Sequence, residues 1–441
     1  MTPLKHGLRR YGLRLLALAA SVIVPALIGA LPAAQAEEIT LKMWTLDNTG
    51  YPAFIAQAAE AFRKIHPNVT IDHQTFPGDA YKTSLPVALV GSDAPDVFFN
   101  WSGDAAKRLV RDGLALDVTE SAMAQGGFGT ELGEGLLDAF RYDGKLYGAA
   151  ADAVSKYVFY NKDYFSAHGL AVPKTLGELA GLCKAVRAIN PDTVPMPLGN
   201  KTRWKAIHWM TTLNERVMGV DGTAADYDLS RPAEALFTDP GYAKAFDELL
   251  KLQDAGCFEE APNATEYTVA DAMFATQASP MEYCGTWCTA GLDAAGFTNY
   301  GFFRLPLVEG GKGDAGANFL VPEGFQVSSK TQHPAEAVAW ISFLVSPEQG
   351  AKFAEMTKLL PSNPTLIDSV PDATPQFKAI VADMGTFTRG VNVLDVLLDA
   401  TVAEAYLNAT VEVLNRTATP AEAVTQIRQA ALSAQAKLAA K

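Results

Sequence analysis

The chain has 441 residues, 49% of them apolar and 19% charged, with 36 Lys and Arg against 49 Asp and Glu for a formal net charge of −13. That composition is too apolar and too weakly charged for disorder and excludes collagen-like, coiled-coil and small disulfide-scaffold classes, so a sizeable core is expected. The acidic balance speaks against a sequence-independent grip on nucleic acid or anionic lipid.

The first predicted element is an export signal. Lys5, Arg9, Arg10 and Arg14 precede an apolar run from Leu15 to Leu31 that is broken by Pro25 and followed by Ala34-Gln35-Ala36. The pattern predicts cleavage after Ala36, a mature start at Glu37 and a periplasmic product. A membrane anchor is the competing reading, because the run approaches the roughly 20 apolar residues of a spanning helix; Pro25 and the small-residue site favour cleavage. Removing residues 1–36 takes four bases with it and leaves a net charge of −17 over 405 residues. Arg9-Arg10 leaves both the general and the twin-arginine export routes open. The lack of a Cys after the run argues against a lipid anchor.

Ile39 to Trp44 alternates as a short strand, Pro52 to Ile65 has helical spacing with Phe54, Ala58 and Phe62 on one face, and Val69 to Gln74 reads as strand again. A helix over Asp79 to Val90 and the apolar strand Asp96-Val97-Phe98-Phe99 continue a β-α-β opening of the parallel α/β kind. Later helices are marked by cap chemistry: Thr175-x-x-Glu178 and Thr419-Pro420-Ala421-Glu422 read as capping boxes, and Asp239-Pro240 and Ser346-Pro347 as a cap followed by Pro. A strand over Pro280 to Tyr283 precedes Cys284 and Cys288. With Cys183 and Cys257 these allow three disulfide pairings in an oxidising compartment, and the spacing does not choose among them. The Cys284/Cys288 pair lacks C-x-x-C spacing and a neighbouring His, so a disulfide or two buried thiols is expected rather than zinc.

Enzyme signatures are scarce: there is no Gly-x-Ser-x-Gly elbow, no phosphate-binding P-loop, no His-Glu-x-x-His and no dinucleotide fingerprint. Paired carboxylates for glycoside hydrolysis have no fixed spacing, so a secreted sugar-cleaving enzyme stays open as an alternative. Aromatic residues instead recur beside small polar ones at predicted strand ends, in Trp44-Thr45-Leu46-Asp47, Asn100-Trp101-Ser102-Gly103-Asp104, Asn200-Lys201-Thr202-Arg203-Trp204 and Glu282-Tyr283-Cys284-Gly285-Thr286-Trp287. In open α/β sheets ligands meet the carboxyl ends of strands. There an indole offers a flat apolar face to sugar C–H groups, and Asp, Asn and Arg match hydroxyls.

These segments, with Pro95-Asp96-Val97-Phe98, Gly144-Lys145-Leu146-Tyr147-Gly148, Phe159-Tyr160-Asn161-Lys162-Asp163-Tyr164-Phe165, Pro173-Lys174-Thr175-Leu176 and Ala335 to Glu348, occur in an order that resembles the carbohydrate-type extracellular solute-binding proteins of bacterial ABC importers. The resemblance implies an α/β, two-lobe periplasmic-binding-protein-like fold, each lobe a mostly parallel sheet flanked by helices, joined by short hinge crossings. It places lobe one at 37–152 and 319–367 and lobe two at 153–318 and 368–441. Ala149-Ala150 stands where the family usually carries a Pro after Tyr-Gly.

The implied function is capture of a mono- or oligosaccharide between the lobes by a monomer, and its delivery to ABC permease subunits, with no catalytic residue, cofactor or metal. A polyamine or other small solute on the same fold is a further alternative. The candidate ligand-binding set is Trp44, Asp47, Tyr81, Asn100, Trp101, Asp104, Asp152, Trp204, Glu282, Trp287, Asn318 and Arg389. Trp287 is the leading stacking platform, and Trp44 and Trp101 oppose it from lobe one.

Overall fold

The computed structural model describes residues 37–48, 50–361, 363–371 and 373–440; the expected signal segment lies outside them. Strands β1 (Ile39–Leu46), β2 (Val69–Phe76) and β3 (Val97–Trp101) alternate with helices α1 (Tyr51–Ile65) and α2 (Gly78–Val90). Helix α1 buries Phe54, Ala58 and Phe62, the face its spacing predicts, together with Tyr51 and Ile55. Helix α3 (Asp104–Arg111) follows, then the small hairpin β4 (Arg141–Tyr142) and β5 (Lys145–Leu146), and then β6 (Gly148–Asn161). Further on come β7 (Met281–Gly285), β8 (Tyr300–Phe303), β9 (Ala317–Val327), β10 (Leu360–Pro361) and β11 (Arg389–Val391).

The main sheet runs β10-β6-β9-β3-β1-β2, with β7 and β8 on the far part of β6 and β11 on β9. At 14 and 11 residues, β6 and β9 are long enough to serve both halves. Gly148 to Ser155 pairs with β9, whereas Lys156 to Asn161 pairs with β7 and β8. This geometry corrects the mostly parallel expectation. Pairing is parallel at β1–β2, β1–β3 and β11–β9 and antiparallel elsewhere in the main sheet, because β6 and β9 cross between the halves in opposite directions.

Each half has its own apolar core. One gathers Leu41, Phe54, Phe98, Phe325, Trp340 and Phe353; the other gathers Leu179, Trp209, Leu213, Phe246, Tyr406 and Ile427. Cys183–Cys257 ties the helix Leu176–Ile189 to the segment after Gly241–Asp254 in the second core, and Cys284–Cys288 closes the turn after β7. Among the described residues no helix is long and apolar enough to cross a membrane.

The Thr419/Glu422 capping box forms in full. Thr175 accepts from Glu178 N, but the Glu178 carboxylate turns to Lys174 N, so the reciprocal half is missing. Asp239 accepts from Gly241 N and its helix begins at Gly241, one residue later than Asp239-Pro240 implies. Ser346 makes no cap bond: its hydroxyl donates to Phe343 O in the last turn of the preceding helix Pro334–Leu344.

Candidate functional site

Where β6 and β9 pass between the halves, a cavity of about 210 Å3 opens over Val154, Phe319, Val321 and Glu323. One wall comes from strand ends and helix α2: Asp47 follows β1, Trp101 ends β3, and Lys82 projects from α2. The opposite wall carries Trp204 and His208 from the first turns of the helix Trp204–Met218, Tyr267, Trp287 from the β7 turn, and Asp395 from the short helix Leu394–Leu397. Trp204 lies 5.2 Å from the Tyr267 ring and 6.1 Å from Trp287, so three aromatic rings line one side and Trp101 faces them across the cavity.

The polar groups beneath these rings are tightly arranged. Lys82 Nζ is 2.5 Å from Asp395 Oδ2 and 5.0 Å from the centre of the Trp101 ring. Asp395 Oδ1 faces His208 Nε2 at 3.5 Å, and His208 Nδ1 faces the wholly buried Lys156 Nζ at 3.4 Å. Burial, reinforced by Lys156, brings His208 down to about 3, which keeps the imidazole neutral. Burial also pushes the Asp395 carboxyl upward, but the Lys82 ammonium and His208 outweigh it and hold the group below the usual carboxylate range. Lys156 is driven well below the ordinary lysine range by burial, with Lys205 adding to the effect. Its amine packs over the Tyr283 ring at 4.4 Å.

Of the twelve sequence candidates, Asp47, Trp101, Trp204 and Trp287 line this cavity together. Trp44 does not, because its ring turns onto Phe76 with centroids 4.5 Å apart. Tyr81 is wholly buried and donates to Phe99 O at 2.6 Å. Asn100 spends its amide on Gln326 Oε1. Asn318 donates to Ser155 Oγ and Lys156 O. Asp104 pairs with Arg111 and lines a separate cavity beside Tyr142 and Asn392. Asp152 is buried under Tyr51 and stands opposite Glu323 in the ladder. Glu282 is buried against Lys205, and Arg389 is a surface residue paired with Asp221. These corrections share one cause: a polar side chain beside a strand end serves the backbone or a buried ion pair as readily as it serves a ligand.

Sequence reasoning missed Lys82, His208, Tyr267, Glu323 and Asp395. Each stands alone in a helix or strand without a motif, and only the fold brings them to one place. Asp271, Glu282, Cys284 and Cys288 also cluster. There the two sulfurs are joined to each other and Lys205 lies between the carboxylates, 2.5 Å from Asp271 and 3.2 Å from Glu282, so the donors are already engaged.

Comparison with known proteins bears on this cavity. The family described as bacterial extracellular solute-binding protein matches residues 57–381. An ABC transporter extracellular-binding protein of Pyrococcus horikoshii is 28% identical over 320 residues, 71% of this chain and 70% of that one. The multiple sugar-binding protein of Streptococcus mutans is 22% identical over 325 residues, 69% of this chain and 70% of the relative. A structure solved in work on xylan utilization by the thermophilic bacterium Caldanaerobius polysaccharolyticus superposes with a TM-score of 0.81 at 23% identity, covering 88% of this chain and 99% of the other.

Proposed function

The chain belongs to the bacterial extracellular solute-binding protein family, and on that premise we propose that it captures a sugar between its lobes and hands it to the permease of an ABC importer. The observation that carries this reading is the cavity itself: four aromatic rings at its walls and fixed polar groups between them. Flat rings stack on sugar C–H faces, and the carboxylates and imidazole between them match hydroxyls. The relative that is a multiple sugar-binding protein and the structure from work on xylan utilization point the same way.

In this reading the exported protein works in the periplasm after cleavage at Ala36, as a monomer that binds and releases its cargo without chemical change. The lobes are 37–152 with 319–367, and 153–318 with 368–441; most of each apolar core falls within one of them, while Val393 and Val396 pack with the first core and a further cluster joins Ala354 and Leu360 to Tyr157, Phe377 and Ile380. A thermal-shift screen of the mature protein against xylobiose, N,N′-diacetylchitobiose, maltose and galactose tests the proposal. A sugar at about 100 times its dissociation constant stabilises the native state by roughly 2.7 kcal/mol. Turnover of the corresponding glycosides in place of a stoichiometric shift makes the protein an enzyme. No shift with any sugar removes this cargo class.

A further inference from the structure

The sugar-binding reading does not say which polar groups of the cavity wall act together on one group of the cargo. Lys156, His208, Asp395 and Lys82 form a single polar chain that runs from β6, through the helix Trp204–Met218 and the short helix Leu394–Leu397, to α2. Its middle is unfinished. Asp395 has a side chain only 4% exposed, Oδ2 takes the Lys82 ammonium, and Oδ1 has no hydrogen-bond partner among the described residues. The facing His208 Nε2 stands 3.5 Å away, too far for a good N–H···O bond, and both side chains line the cavity. A buried carboxylate oxygen left in this state is rare in a native structure and calls for a partner.

We propose that Asp395 Oδ1 and His208 Nε2 together read one hydroxyl of the bound solute, the carboxylate accepting its proton and the imidazole N–H donating to its oxygen, with Lys156 as the positioning residue behind them. The inference rests on the sugar-binding reading and adds which group of the cargo is recognised. A hydroxyl is the small group that donates and accepts through one atom. An oxygen about 2.8 Å from each of two atoms 3.5 Å apart would meet both. A deoxy position supplies neither role, and a methyl ether loses the donor, so the cargo is a polyol with a free hydroxyl at this point.

The chain fixes the direction of both bonds. An ionised Asp395 only accepts, so the Nε2 it faces carries the proton, and Nδ1 is then free to accept from Lys156. The titratable groups that face His208 are Lys156 from β6, Asp395 from its short helix and Lys82 from α2; burial first, then Lys156 and Lys82, keep the ring neutral against the opposite pull of Asp395. Lys156 itself does not line the cavity; its amine faces His208 Nδ1 and lies 5.9 Å from the centres of the Trp204 and Trp287 rings.

Two measurements test this in the full mature chain. Nitrogen-15 NMR of His208 needs no ligand: a neutral ring protonated at Nε2 from pH 8 to pH 5 is expected, and the opposite tautomer or a titration near pH 6 overturns the proposal. Calorimetry then uses whichever of xylobiose, N,N′-diacetylchitobiose, maltose or galactose binds, together with its monodeoxy derivatives. Asp395→Asn should weaken binding about 10- to 100-fold. One deoxy derivative should lose as much with the native protein and little further with the variant, the signature of a shared contact. Lys156→Met should weaken binding several-fold and, in the same nitrogen-15 spectrum, let the other His208 tautomer appear, because Nδ1 loses the donor that holds it as an acceptor. Native affinity in Asp395→Asn, or equal coupling at every deoxy position, defeats the hydroxyl reading. Binding of none of the sugars defeats the cargo class instead, and the NMR result still decides the tautomer. Should Asp395→Asn fail to fold, the deoxy series on the native protein and the NMR measurement carry the decision.

Discussion

Gly285 ends β7 with the indole of Trp287 folded back over it, so a Cβ at that position would overlap the ring. Gly285→Ala therefore displaces Trp287 without adding any group to the cavity wall. We expect its sugar affinity to fall by about tenfold, roughly 1.4 kcal/mol, as far as that of Trp287→Ala. Calorimetry on both variants checks this, and an unchanged affinity for Gly285→Ala would remove Trp287 from the binding surface. Trp287, singled out in the sequence by the family-like Gly285-Thr286-Trp287 after a predicted strand, lines the cavity. Trp209 and Trp340 are instead fully buried, one in each apolar core. His208 and Lys156 were not legible. A lone His in a helix or a lone Lys in a strand carries no signal until another element lies against it, and Asn100, Asn318 and Asp104 misled for the converse reason.

At the scale of elements, the β6–β9 pair concentrates what the sequence could not specify. Sequence reasoning assigns neither strand, and their antiparallel direction depends on where the chain re-enters the sheet after more than 150 residues. Asp152 illustrates the cost of that crossing. It sits just after the bulge in β6, wholly buried, donated to by the Tyr51 hydroxyl at 3.2 Å and opposite Glu323. Burial raises Asp152 to about 8 and Glu323 well above its ordinary value, so the folded protein keeps protons that the unfolded chain releases near pH 4. Because the native state binds more protons, stability falls as pH rises from about 4 to about 8, by at most about 1.4 kcal/mol per pH unit for each proton held. Asp152→Asn should flatten that slope and gain most stability at pH 8. Urea unfolding at pH 5 and pH 8 measures it; a native slope that is flat or of opposite sign shows that the pair is ionised in the folded state.

On the scale of the whole molecule, the two lobes meet across the cavity through few direct bonds. Lys82 on α2 reaches Asp395, and Asn392 Nδ2 donates to Ser102 Oγ at 3.2 Å. Beside this ion pair, whose carboxylate is buried, and one neutral hydrogen bond, Val393 and Val396 pack with the core of Leu41 and Phe98. A ligand that touches both walls binds the closed arrangement better and shifts the population toward it, by no more than its difference in affinity for the two states. Trp101 from one wall and Trp204 from the other are the rings such a ligand bridges; Trp44, turned onto Phe76, contributes nothing to this step. Small-angle scattering should therefore give a smaller radius of gyration with the bound sugar than without it. The difference should vanish in the double variant Trp101→Ala/Trp204→Ala at the same sugar concentration. Lys82→Ala should raise the ligand-free radius or leave it unchanged, and never lower it. Tight binding with an unchanged radius would mean that one wall does all the binding or that the cleft is closed beforehand, and capture by closure would then give way to capture in a preformed pocket.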